Sequence, residues 1–134
     1  ALFMERNFFN KLGGFDKDFF MYFEDNEICD RVHKFNKTVI EISSSKMIHM
    51  EGMSSEKNFL SSCKLSIIHK ISECIYLNKN LTKFNVYKNL TIQLIDYIQR
   101  MIFSFITFKF KNSLKNLLRI LSIFLYISSL YKLI

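Results

Sequence analysis

The chain contains no proline and no tryptophan, and only three glycines in 134 residues. Without proline, no turn is pre-set by a ring-locked φ and no helix is broken by a missing amide donor. Glycine is confined to Gly13, Gly14 and Gly52, which excludes a phosphate cradle of the G-x-G-x-x-G or P-loop kind. Cys29, Cys63 and Cys74 form no C-x-x-C pair and no zinc-site spacing, so they read as reduced, buried thiols. Acid is scarce in the second part of the chain: residues 61–134 hold 11 Lys and Arg against only Glu73 and Asp96, net +9, whereas residues 1–60 hold 8 against 10, net −2. The basic excess therefore belongs to the tail, which asks for an anionic partner. Long uncharged runs are also lacking. A membrane span needs roughly 18–20 apolar residues, and Arg100 and Arg119 interrupt the two candidates.

What is present is an apolar share of 49% with 15 Phe, ample for one compact unit. The pattern suggests a strand at Ala1–Met4, a short helix at Asn7–Leu12 ended by Gly13, and a turn through Gly14. From Asn26 to Phe35, Ile28, Val32 and Phe35 recur at helical spacing, and Glu27–Arg31 and Asp30–Lys34 form i,i+4 pairs for the wet face. The β-branched stretch Thr38–Ile42 and the segment Lys46–Met50 read as extended pieces, the second carrying His49. His33 and His69 read as surface residues.

Beyond about residue 60 the pattern is helical. In one long segment Asn89, Gln93, Asp96, Arg100, Ser104 and Thr107 follow a narrow polar stripe, leaving a wide apolar face at Leu90, Leu94, Ile95, Ile98, Met101, Ile102, Phe105 and Ile106. A second repeats this with Lys115, Arg119, Ser122, Tyr126 and Ser129. Lys109, Lys111, Lys115 and Arg119 cluster about the connection between them. That combination suits in-plane binding at an anionic bilayer surface through residues 89–134; a helical hairpin packed on the rest of the chain or on a second subunit, as in a homo-oligomer, is the alternative.

The chemistry-bearing run is residues 13–31, GGFDKDFFMYFEDNEICDR, in which Glu24 and Asp25 follow an aromatic block at a helix start. Asp25 sits where its side chain can cap that helix, and acid at a helix start also serves dipole compensation. The pattern GGFD, then FF.Y.ED, then Arg resembles the acceptor-side half of family 2 glycosyltransferases, especially bacterial rhamnosyltransferase-like members. It is carried by Gly13, Gly14, Phe15, Asp16, Phe19, Phe20, Tyr22, Glu24, Asp25 and Arg31, with Glu27 where the family has Asp, and covers about sixty residues.

The resemblance implies an α/β fold, with residues 1–60 as the acceptor-side part of a GT-A catalytic domain and residues 61–134 as a basic amphipathic helical tail. It implies inverting transfer of a sugar, rhamnose among the candidates, from a nucleotide-sugar donor to an acceptor hydroxyl. Asp25 would be the general base, Glu24 would orient the site, Phe20, Tyr22 and Arg31 would bind substrate, and His49 would help hold Mn²⁺ or Mg²⁺. The acceptor would be a lipid-linked glycan of O-antigen or capsule synthesis, at the cytoplasmic face of the bacterial inner membrane with the protein bound peripherally. The family's nucleotide-binding half and Asp-x-Asp metal motif lie upstream of this pattern and have no counterpart here, so the chain reads as a C-terminal fragment, inactive alone. The competing expectation is a non-catalytic basic module for membrane or nucleic acid. Nucleic acid is the weaker version, because the tail aromatics lie on apolar helical faces and are not interleaved with Lys and Arg.

Overall fold

The computed structural model describes residues 2–46, 48 and 58–131, the last three for their backbone only. It consists of α1 (Arg6–Lys11), α2 (Glu24–Lys34), α3 (Phe59–Asn80), α4 (Lys83–Ile106) and α5 (Phe110–Tyr131). No strand occurs among the described residues. The α/β class expected from the GT-A resemblance is thereby corrected: the regular structure of the described residues is all helix.

The reason lies in what a strand requires. Residues 2–4, from the strand expected at Ala1–Met4, and residues 38–42 were the expected strands within this range, and both line one cavity of about 920 Å³, yet they form no ladder. β-branched residues favour extended backbone, but a strand exists only with a hydrogen-bonded neighbour. Phe3, Ile40 and Ile42 are consequently exposed.

Two cores form. Leu12, Ile28 and Val32 join α1 to α2, with Met4, Phe8, Phe9 and Cys29 packed against them. Cys74, Val86, Leu90 and Ile123 join α3, α4 and α5, with Leu77, Tyr97, Tyr126 and Ile127 around them. All three cysteines are free thiols, and burial pushes the Cys74 thiol up to about 11, which keeps it protonated and inert. Asn58 caps α3 by accepting from Ser61 N–H at 2.7 Å, and Thr82 starts α4 in the same way through Asn85 N–H. With glycine so rare, other residues take the left-handed turns. Asn36 (φ 55°) follows α2 and Phe108 (φ 57°) reverses the chain between α4 and α5.

The three long helices are polar where they meet. Lys70 of α3 is 1% exposed; its Nζ donates to Glu73 at 2.8 Å and to Gln93 of α4, and lies 5.0 Å from the Tyr97 ring centre. Gln93 Nε2 returns a bond to Glu73 at 2.6 Å. From α5, Arg119 Nε donates to Ser66 at 2.9 Å and its guanidinium lies 5.6 Å from the same Tyr97 ring. Ser104, Asn116 and Ser122 are buried as well. Meanwhile Ile95, Ile98, Ile102, Phe105 and Ile106 of the wide apolar face of α4 are exposed, as are Leu114, Leu117, Leu121 and Phe124 of α5. The hairpin of α4 and α5 therefore turns much of its polar stripe inward and its apolar surface outward. Among the described residues no helix is long and apolar enough to cross a membrane.

Candidate functional site

The GGFD turn is built first. α1 ends at Lys11, and Gly13 (φ 87°) and Gly14 (φ 73°) supply two successive left-handed residues, their amides returning to Asn10 and Phe9 carbonyls. A Cβ on Gly14 would meet the Phe9 ring at 3.6 Å, ordinary contact, so conformation and not space demands glycine there.

Arg31 locks this turn. Its Nη1 donates to Leu12 O at 2.5 Å, its Nη2 to Gly14 O at 2.7 Å, and Nε and Nη2 both reach Glu27 at 2.9 and 2.7 Å. The sequence pairing of Glu27 with Arg31 thus exists, but it faces inward: Glu27 is buried, not on the wet face. The expected Asp30–Lys34 pair gives way to a bond from Tyr76 Oη of α3 to Asp30 at 2.5 Å. That bond, followed by burial, pushes the Tyr76 hydroxyl up to about 12. Arg31→Lys keeps the charge and loses the fork. We expect it to destabilise the α1–α2 unit by about 1–3 kcal/mol, because buried acceptors lose their donors; an unchanged thermal unfolding midpoint would contradict the clamp.

From Asp16 to Phe23 the loop lies on one face of α3. Lys79 pairs with Asp16 and Asp18 and lies 5.3 Å from the Phe19 ring centre. Ser72 Oγ donates to Met21 O at 2.7 Å. The Tyr22 and Phe23 rings meet His69 at 5.1 and 5.3 Å, and Phe23 also meets Tyr76 at 5.3 Å. His69 is exposed, as its reading as a surface residue expects, and it also docks the loop through these ring contacts. His69, Ser72, Tyr76 and Lys79 recur at helical spacing, the signal that could have identified this face.

The docking is pH-limited on both sides. The Lys79 hydrogen bond, helped by Asp18 N–H, holds the Asp16 carboxyl below its usual 3.8. Burial alone would lower Lys79, but its bonds to Asp16 and Asp18 outweigh that and hold it above 10.5. A depressed acid stabilises above its unfolded pKa, and a raised base stabilises below its own. The contribution is thus fully present between pH 3.8 and 10.5, and is lost as pH falls through the lowered Asp16 value or rises through the raised Lys79 value. The NMR shifts of the Phe19 ring, against which Lys79 lies, should be flat across that window and move outside it. Movement near neutral pH would contradict the assignment.

This docking forces an unusual entry into α2. Tyr22 (φ 69°) and Phe23 (φ 66°) are two consecutive left-handed L-residues, a conformation costing roughly 1–2 kcal/mol each. Their rings on His69 and Tyr76 hold it in place, and such strain concentrates at functional sites. Phe23, not Asp25, is the N-cap, with no side-chain cap bond. Helix α2 therefore begins at Glu24, two residues earlier than the periodicity predicts, and places Glu24 and Asp25 in its first turn. Asp25 is exposed and accepts only from Asn26 N–H, at 2.8 Å. Glu24 Oε2 is buried without a hydrogen-bond partner. Phe20 stands 83% exposed beside them in sequence, while Tyr22 is half-buried.

The structure thus brings Phe20, Tyr22, Glu24 and Asp25 into one short segment and directs Arg31 to the turn behind it. His49 lies outside the described residues. No group of three His, Cys, Asp or Glu side chains able to hold a metal ion occurs among the described residues. No family model, curated protein or solved structure matches the chain.

Proposed function

We propose that this chain contributes the acceptor-side residues of an inverting glycosyltransferase that moves a sugar from a nucleotide-sugar donor to a lipid-linked acceptor at a membrane surface. The observation that carries the reading is the strained Tyr22–Phe23 backbone, pinned to α3, which begins α2 abruptly and leaves an exposed Asp25 beside a partnerless Glu24 oxygen. Asp25 removes the proton from the attacking acceptor hydroxyl as the new bond forms on the face opposite the leaving nucleotide. Glu24 orients the site beside it, and exposed Phe20 offers a ring face to the sugar. Arg31 acts by holding the turn. The divalent ion and a role for His49 rest on the resemblance alone, and no step here runs through them.

The outward apolar faces of α4 and α5, with Lys109 and Lys111 at their connection, favour peripheral membrane contact. This feature is independent of the carboxylates and also favours a second reading, a basic membrane-binding module without catalysis. The two separate on one experiment. Membranes from cells making the complete gene product are supplied with labelled nucleotide sugars, and the solvent-extractable lipid is counted. Label in lipid above the empty-vector control supports transfer. Membrane-bound protein with no lipid label across the donor panel would favour the second reading.

A further inference from the structure

Between α4 and α5 lies a polar cleft of about 480 Å³. Arg100, Lys115 and Arg119 line it against a single carboxylate, Asp96, with Asn112 and the buried Asn116 beside them. Asp96 engages only Nε of Arg100, and Ser66 takes only Nε of Arg119. Lys115 has no carboxylate partner among the described residues; its Nζ lies 6.0 Å from the Phe59 ring centre. The cleft thus concentrates three cations whose donor capacity the protein does not exhaust, which suits a tetrahedral, multiply accepting anion. On either side the helices expose Phe103, Phe105, Phe110 and Leu114. A cationic cleft flanked by exposed apolar helix faces matches a molecule that is anionic at one end and apolar along its length.

We propose that this cleft binds the phosphate headgroup of a membrane lipid, whose chains lie against the outer faces of α4 and α5. The inference rests on the membrane-surface part of the reading above and not on the transfer chemistry.

The test compares two charge-matched double variants of the complete gene product. Arg100→Gln/Lys115→Gln removes two charges from the cleft, and Lys109→Gln/Lys111→Gln removes two exposed charges at the helix connection. Arg119 is left intact because it holds Ser66 and Tyr97. Binding is measured by flotation with vesicles of phosphatidylcholine containing phosphatidylglycerol, and by titration with inorganic pyrophosphate. Diffuse attraction to an anionic surface weakens alike in both variants, since each Lys or Arg near the surface contributes similarly. The proposal predicts at least a roughly tenfold greater loss of vesicle affinity in the cleft variant. It also predicts that pyrophosphate competes with vesicles for wild type and not for the cleft variant. Equal losses would overturn the cleft as a site while leaving membrane binding in place. Pyrophosphate binding without any vesicle binding would overturn the lipid source in favour of a soluble phosphate. Absence of both, or a dimer whose formation closes the cleft, would overturn the proposal together with its membrane premise.

Discussion

Asp25→Asn should lower sugar transfer by about 10²–10⁴-fold, the span typical of a lost general base, while leaving the apparent affinity for the nucleotide-sugar donor nearly unchanged. The asparagine keeps the size and the first-turn position of the side chain but cannot accept the hydroxyl proton. Asp25 is exposed and its side chain makes one hydrogen bond among the described residues, to the neighbouring Asn26 amide, so the substitution disturbs little packing. Glu24→Gln provides the internal comparison. It keeps the size of the side chain without its charge and should cost on the order of tenfold, the scale of about one hydrogen bond, since Glu24 orients the site and does not take the proton. Steady-state rates with both variants beside wild type check the ranking. A Glu24→Gln loss larger than that of Asp25→Asn would exchange the two roles, and turnover preserved in both would remove the pair from the chemistry.

The second large effect is expected far from this site. Lys70→Met should destabilise the chain by about 3 kcal/mol, because removing one partner of a buried ion pair strands the other. A fall in melting temperature on the order of 10 °C follows. Lys70 is essentially inaccessible, and its Nζ holds Glu73 and Gln93 across the α3–α4 interface above the Tyr97 ring. Methionine fills a similar volume, so the loss reports the stranded Glu73 and not a cavity. Lys70→Met/Glu73→Gln should recover a large part of it, since the glutamine can still bond Gln93 without a charge. Thermal unfolding followed by circular dichroism reads both variants. A single variant as stable as wild type would mean that Glu73 finds water in place of Lys70.

The run from Gly13 to Arg31 names its own turn, aromatic block and carboxylates, because each is local in sequence. Glycine pairs reverse chains, acids gather at helix starts, and Arg31 follows Glu27 by one turn. The direction of the Glu27–Arg31 pair was not legible: an i,i+4 ion pair looks the same whether it faces water or the carbonyls of Leu12 and Gly14. Lys70 was hidden for the same reason. With Glu73 three residues on, it reads as a surface pair, and only the arrival of Gln93 and Tyr97 from α4 buries it.

The strands expected at either end of the first sixty residues failed differently. Their composition gave a backbone preference, but sheet formation depends on a neighbour that composition does not specify. Asp25 as helix cap failed because docking on His69 and Tyr76 imposes left-handed backbone on Tyr22 and Phe23, which starts the helix earlier. The polar stripe of α4 was readable from spacing alone. That it points substantially inward was not, since a stripe defines a face and leaves open whether water or protein meets it.

The proposed role of the carboxylate at the head of α2 is that of the base for direct displacement at the donor sugar. Its most direct test is the stereochemistry of the product, read by proton NMR of the anomeric signal during transfer by the complete gene product from whichever nucleotide sugar it accepts. Direct displacement predicts that the anomeric configuration is inverted relative to the donor, with the signal lost in Asp25→Asn. A product of retained configuration, or an inverted product formed equally well by the variant, would contradict it.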